Sequence, residues 1–128
     1  MKTLNSLFKA QHSYMELCSQ SYKAGVYTDV SHFSAPTVYA AKLKAKENEA
    51  KEVILALEDE LHEVLGELNW KPWKTSRKEV DFDKLGGEIA DCWHFLLELT
   101  MLFNLEKKLP ELMQKSFDKN HGRLKTGY

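Results

Sequence analysis

The chain has 128 residues, a formal net charge of −1, 43% hydrophobic and 29% charged residues, which suits one globular domain over residues 1–128 and excludes global disorder. A pI near 6.5 gives no bulk electrostatic case for coating nucleic acid or an anionic membrane, so an anionic ligand must be bound locally. Two cysteines without metal-type spacing argue against a disulfide framework or zinc site, no run reaches the ~18 apolar residues of a membrane span, and the start lacks the apolar core and cleavage site of a signal peptide, so a reducing cytoplasm is expected.

Leu4, Leu7, Phe8, Tyr14, Met15 and Cys18 recur at helical spacing, which predicts a first amphipathic helix from about Thr3 to Lys23. AGVYTDVSHFSAP interrupts it, and Ser34 before Pro36 reads as the cap of a long second helix reaching Asn69. Val53, Ile54, Leu57, Leu61, Val64, Leu65 and Leu68 trace one stripe on that helix, expected to face the core. In the connector NWKPWKTSRKEVDFDKLGG, Pro72 stops the second helix and Asp81 or Asp83 caps the third. The third, from about Lys84 to Leu105, is apolar on nearly every side and belongs in the middle of a bundle. Pro110 opens a shorter fourth helix, PELMQKSFDKN, and residues 121–128 read as a flexible tail. No segment alternates with period two, so the fold class is all-α, a four-to-five-helix bundle.

The acids stand out against this frame. With Leu57 at zero and about 100° per residue, Glu60, Glu67 and Glu63 gather at roughly 300°, 280° and 240°, along one flank of the apolar stripe, while Asp59 and His62 point elsewhere. On the third helix Glu88 and Asp91 sit one turn apart, on a face continued by Phe95, Leu99 and Leu102. Carboxylates facing an apolar interior are costly unless paired or bound to a cation, and from Glu88 to Leu105 there is no lysine or arginine. Packing the two acidic faces together calls for a hard divalent metal, and oxygen-only ligands favour Mg²⁺, with Mn²⁺ as substitute. Glu67 reads either as an outer ligand or as the partner of Lys71. His94, about 100° off the acidic face, reads as a core or interface histidine rather than a ligand.

Glu60-x-x-Glu63, then Trp70-Lys-Pro-Trp73-Lys74, then Glu88-x-x-Asp91 running into CWHFLLEL, with a closing FDKNHGRLKTGY, resembles the all-α nucleoside triphosphate pyrophosphatases, and the dimeric dUTPase type within them most closely. The resemblance implies a helical bundle in which Glu60, Glu63, Glu88 and Asp91 hold Mg²⁺ on the triphosphate of a deoxynucleotide, releasing a nucleoside monophosphate and pyrophosphate. Glu60 or Glu63 is the candidate general base for the attacking water. Phe95, one turn from Asp91, is placed to stack on a base, with core packing as the alternative. Trp70 and Trp73 are candidates for the opposite wall of the base pocket, and Lys74, Lys119, Asn120, Arg123 and Tyr128 for phosphate donors. In dimeric dUTPases a first-helix glutamine is followed four residues on by an asparagine, and the two read the uracil edge. Here Gln11 is followed by Met15, so dCTP or a modified deoxynucleotide stands beside dUTP as substrate. So short a chain with so apolar a third helix also points to a homodimer or homotetramer.

Two other readings compete. A di-iron carboxylate bundle needs inward Glu-x-x-His pairs, and the chain has none. A non-catalytic helical interaction module would carry the acids as mere surface charge and show no stabilisation by a divalent ion.

Overall fold

A computed structural model describes residues 2–18, 24–31 and 33–127. Among them there are four α-helices and no strand: α1 (Leu4–Leu17), α2 (Pro36–Gly66), α3 (Phe82–Leu102) and α4 (Leu109–Thr126), with a 3-10 turn at Ala24–Tyr27. None is long and apolar enough to cross a membrane.

Local chemistry sets the helix ends. Thr3 caps α1 by accepting from the Ser6 amide. The helix stops at Leu17, short of the expected Lys23, because Cys18 has left helical geometry; residues 19–23 lie outside the described set. Ser34 is not the cap of α2. Pro36 restricts the residue before it to extended backbone, so the boundary falls on Ala35, which makes no side-chain cap bond. At α3, Asp81 takes the capping role, its Oδ1 accepting from the amides of Asp83 and Lys84 at 3.0 and 3.1 Å. The far end of α3 closes by a left-handed residue, Asn104 at φ 55°, with the Leu105 amide donating to the Thr100 carbonyl and the Asn104 amide to the Met101 carbonyl. This is the paired bonding that satisfies orphan carbonyls at a helix C-terminus. Unlike the expected tail, residues 121–126 continue α4, where Arg123 and Lys125 sit favourably in the last turn.

The helices α2 and α3 form the main packed pair, with α1 and the 3-10 turn laid against them. The core sits towards the C-terminal end of α3, where Leu97, Met101 and the fully buried Leu102 meet Phe8 and Met15 of α1, Tyr27 of the turn and Ala50 of α2. Lys46 is buried among them. Its ammonium donates to the Val26 carbonyl at 2.6 Å and to the carbonyl of Leu102, with Asn104 Oδ1 at 3.4 Å. The Asn104 amide in turn donates to the Tyr27 carbonyl at 2.8 Å, and the Tyr27 hydroxyl to Glu98 Oε1 at 2.8 Å. One cation and one asparagine therefore tie the 3-10 turn to the end of α3.

The apolar stripe of α2 is covered only in part. Val53 is buried and Leu57, Val64, Leu65 and Leu68 are half-buried, but Leu61 is 49% exposed. Within a single chain α3 is likewise uncovered on one side, at Ile89, Trp93 and Leu96, and α4 buries no residue at all.

Candidate functional site

The acids lie at the opposite end of the α2–α3 pair from the core. Glu60 stands six residues before the end of α2 and Glu88 six residues after the start of α3, so the antiparallel pair sets them level on either side of the connector. Asp91 follows one turn on. One ligand oxygen from each of Glu60, Glu88 and Asp91 lies within 4.8 Å of the others. None of the three has an ion pair or hydrogen bond to another described residue.

The electrostatics record the crowding. The Glu60 carboxyl is pushed above its ordinary range, first by burial, then by the charges of Asp91, Glu88, Asp59 and Glu63. The Cys92 thiol, buried beside Asp91, is raised by burial and then by Glu60 and Asp91. Three carboxylates without a countercharge among the described residues form an oxygen-only donor set of the kind a hard divalent cation fits. Glu63 lies exposed on the same flank of α2 and is not one of the three convergent groups; it acts on them through its charge.

The other residues fall into separate places. Phe95 is half-buried one turn beyond Asp91. Gln11 is buried in α1, and its Oε1 lies 2.9 Å from Nδ1 of the exposed His94. That pair was not legible in the sequence, since the two residues are 83 positions apart. Met15 belongs to the core. Trp70 and Trp73 meet edge to face, ring centres 5.8 Å apart, and both are exposed. Lys71 lies over the Trp70 ring at 5.7 Å, whereas pairing with Glu67 is one of the two readings the sequence leaves open for that glutamate.

Trp70, Lys71, Lys74, Arg77 and Lys78 border a cavity of about 420 Å³, with His62 from α2. None of the four acids lines it. Asn69 holds this connector in shape, its amide donating to the Lys78 carbonyl at 2.8 Å and its oxygen accepting from the Lys78 amide at 2.9 Å, while the Lys78 ammonium reaches the carbonyl of Gly66. Lys119, Asn120 and Arg123 are exposed on α4, and Tyr128 lies outside the described residues.

A family model described as dUTPase matches residues 36–124, from the first residue of α2 almost to the end of α4, and covers both acidic pairs. No curated protein and no solved structure matches the chain.

Proposed function

The chain belongs to the all-α dUTPase family, and from that premise we infer that it is a Mg²⁺-dependent nucleoside triphosphate pyrophosphohydrolase that converts dUTP to dUMP and pyrophosphate. The observation that carries this reading is the convergence of Glu60, Glu88 and Asp91 within 4.8 Å with no cation from the chain among the described residues to balance them.

In this reading Glu60, Glu88 and Asp91 hold the metal, with Glu63 beside them. Bound there, Mg²⁺ neutralises phosphate oxygens and lowers the pKa of a water for attack. Glu63, outside the convergent three and open to solvent, is the proton acceptor for that water. Glu60, the other candidate base, is taken up by the cluster. Phe95 supplies a face for the base one turn from Asp91, and Gln11 reads the base edge from α1. Trp70, Trp73 and Lys74 enclose the substrate from the connector, and Lys119, Asn120, Arg123 and Tyr128 supply donors to the phosphates.

The exposed large apolar side chains of α3 (Ile89, Trp93, Leu96) and α4 (Leu112, Met113, Phe117) support a homo-oligomer that would cover them. Its setting is the cytoplasm.

Pyrophosphate release from dUTP, dCTP, dTTP and the purine and ribonucleotide triphosphates, with and without Mg²⁺, tests the reading. Release from dUTP that needs the ion and is lost in Glu60→Gln and Asp91→Asn is the expected result. Selective release from dCTP or a modified deoxynucleotide would move the substrate but keep the chemistry. No ion-dependent release from any of them would return the chain to a non-catalytic interaction module.

A further inference from the structure

We propose that the connector between α2 and α3 forms a second anion site, apart from the acid cluster and independent of metal, which takes a small ligand bearing a diphosphate group. It goes beyond the nucleotide pyrophosphatase reading and does not depend on turnover at the acids.

Position separates the two sites. On the α2 side the cavity of about 420 Å³ is walled by His62, Leu65 and Gly66. With Glu60 at zero and about 100° per residue, these three fall at roughly 200°, 140° and 240° around the helix, and Glu63 at roughly 300°. The wall therefore centres on the side of α2 that faces away from Glu60, whereas Glu88 and Asp91 of α3 converge on Glu60 itself. A helix with its side chains is about 10 Å across, and that width stands between an anion in the cavity and the carboxylates that would repel it.

Charge gives the class of ligand. Residues 70–78, WKPWKTSRK, carry four cations and no acid, and all four, Lys71, Lys74, Arg77 and Lys78, line the cavity with Ser76. Glu67 and Glu79 flank the segment in sequence but do not line the cavity. No ion pair joins any of the four cations to an acid among the described residues. Two of them are held in place without losing charge, Lys71 over the Trp70 ring and Lys78 on the Gly66 carbonyl. The second contact has an electrostatic use. Helix α2 ends here, and the carbonyls of a helix C-terminus disfavour an anion. With Lys78 answering that end, Lys71, Lys74 and Arg77 are left for the ligand. Cations gathered around one concavity repel each other, and a multivalent anion relieves the repulsion. A guanidinium matches phosphate oxygens two at a time.

Shape favours a small ligand over a nucleic-acid strand. Exposed tryptophans among lysines also suit a single strand, but a strand needs a charged track, and here the basic run is nine residues long in a chain of net charge −1. Small-molecule pockets begin at roughly 300 Å³, so this cavity has room for a diphosphate and part of what carries it. Asn69, bonded to both backbone groups of Lys78, fixes the loop before any ligand arrives, which lowers the entropy lost on binding.

Inorganic pyrophosphate titrated into the full chain in EDTA, followed by ¹H–¹⁵N shifts, tests the proposal. Saturable binding that moves the Trp70 indole and the Arg77 and Lys78 amides is expected, since without metal the acid cluster repels the anion. Arg77→Gln breaks no bond to a described residue and should weaken binding about tenfold or more, with Lys71→Gln in the same direction and Asp91→Asn within twofold of the intact chain. Lys74 and Trp70, given to the substrate above, are left unaltered. A parallel titration with ADP separates a free diphosphate from one carried on a nucleoside, and pyrophosphate alone or both ligands moving these resonances supports the site. Absence of metal-free binding at millimolar pyrophosphate overturns the proposal. So does binding that needs Mg²⁺ and is lost in Asp91→Asn, which would belong to the acid cluster, and so does orthophosphate binding as tightly as pyrophosphate. A thymidine oligonucleotide that binds more tightly than pyrophosphate at about 0.15 M salt would replace the small ligand by a single strand and overturn it too. A chain that hydrolyses no nucleotide fails the reading above and leaves this site standing; a chain that hydrolyses dUTP but binds no pyrophosphate in EDTA does the reverse.

Discussion

Glu60 joins the metal-site reading to stability. Its folded carboxyl titrates above the ordinary value of 4.5 because burial and the acids around it disfavour the charge, and Glu98 is raised in the same direction, by burial against the opposing bond from Tyr27. A raised carboxyl means that the folded chain holds protons the unfolded chain has released. Stability is therefore fully present below about pH 4.5 for these two groups and is lost as pH rises through their folded values. Metal-free protein is expected to melt at higher temperature near pH 5 than near pH 7.5. Mg²⁺ should reverse the order by neutralising the cluster, stabilising the fold at pH 7.5 by about 2.7 kcal/mol at a hundredfold excess over its dissociation constant. In Glu60→Gln the Mg²⁺ effect should largely vanish and the pH effect should shrink to the part that Glu98 carries, and thermal melts across pH with and without the ion measure both. A melting temperature indifferent to Mg²⁺ at pH 7.5 would count against the cluster as a metal site.

At the scale of elements, the connector between α2 and α3 depends on Asn69, which pairs with both backbone groups of Lys78. Asn69→Ala is expected to free the Lys78 amide, speeding its hydrogen exchange about tenfold or more, roughly 1.4 kcal/mol. Unchanged exchange would mean that the connector is held by something else. The clasp also marks where sequence reading stops. Helix existence was legible from the spacing of leucines and valines, and the aspartate cap of the third helix from its place before it, as one of two candidates, Asp81 and Asp83, because both are local signals. The acidic faces were legible too, since two residues one turn apart share a face whatever they pack against. Asn69 with Lys78 and Gln11 with His94 were not, because side-chain pairing across a loop or between helices leaves no periodic trace. Lys46 was hidden more thoroughly, in AAKLKAKENEAKE, where every lysine has the look of a solvated one. The Ser34 cap failed for a local reason that outranks serine preference, the restriction Pro36 places on Ala35.

Across the whole molecule the described residues leave a conspicuous apolar surface. Trp93 is 56% exposed on α3, and Leu112, Met113 and Phe117 of α4 are 43%, 43% and 53% exposed. Sedimentation or light scattering is expected to return a multiple of the 14.8 kDa chain mass, and Phe117→Asp or Trp93→Asp to shift it towards one chain. A single-chain mass for the unaltered protein would remove the case for assembly.

The buried ammonium of Lys46 has a consequence for the order in which the chain assembles. Its acceptors lie 20 and 56 residues away along the chain, so the bond to Val26 waits for the 3-10 turn to reach α2 and the bond to Leu102 waits for α3 to do so. We expect bonds that join such distant segments to form after the rate-limiting step, and so to act on unfolding rather than on folding. Lys46→Met keeps the apolar stem and leaves the carbonyls unanswered; it is expected to speed unfolding about tenfold or more while leaving the folding rate nearly untouched. The folding and unfolding arms of a chevron separate the two. The lysine then works as a latch that closes last, setting how long the folded molecule persists rather than how quickly it forms.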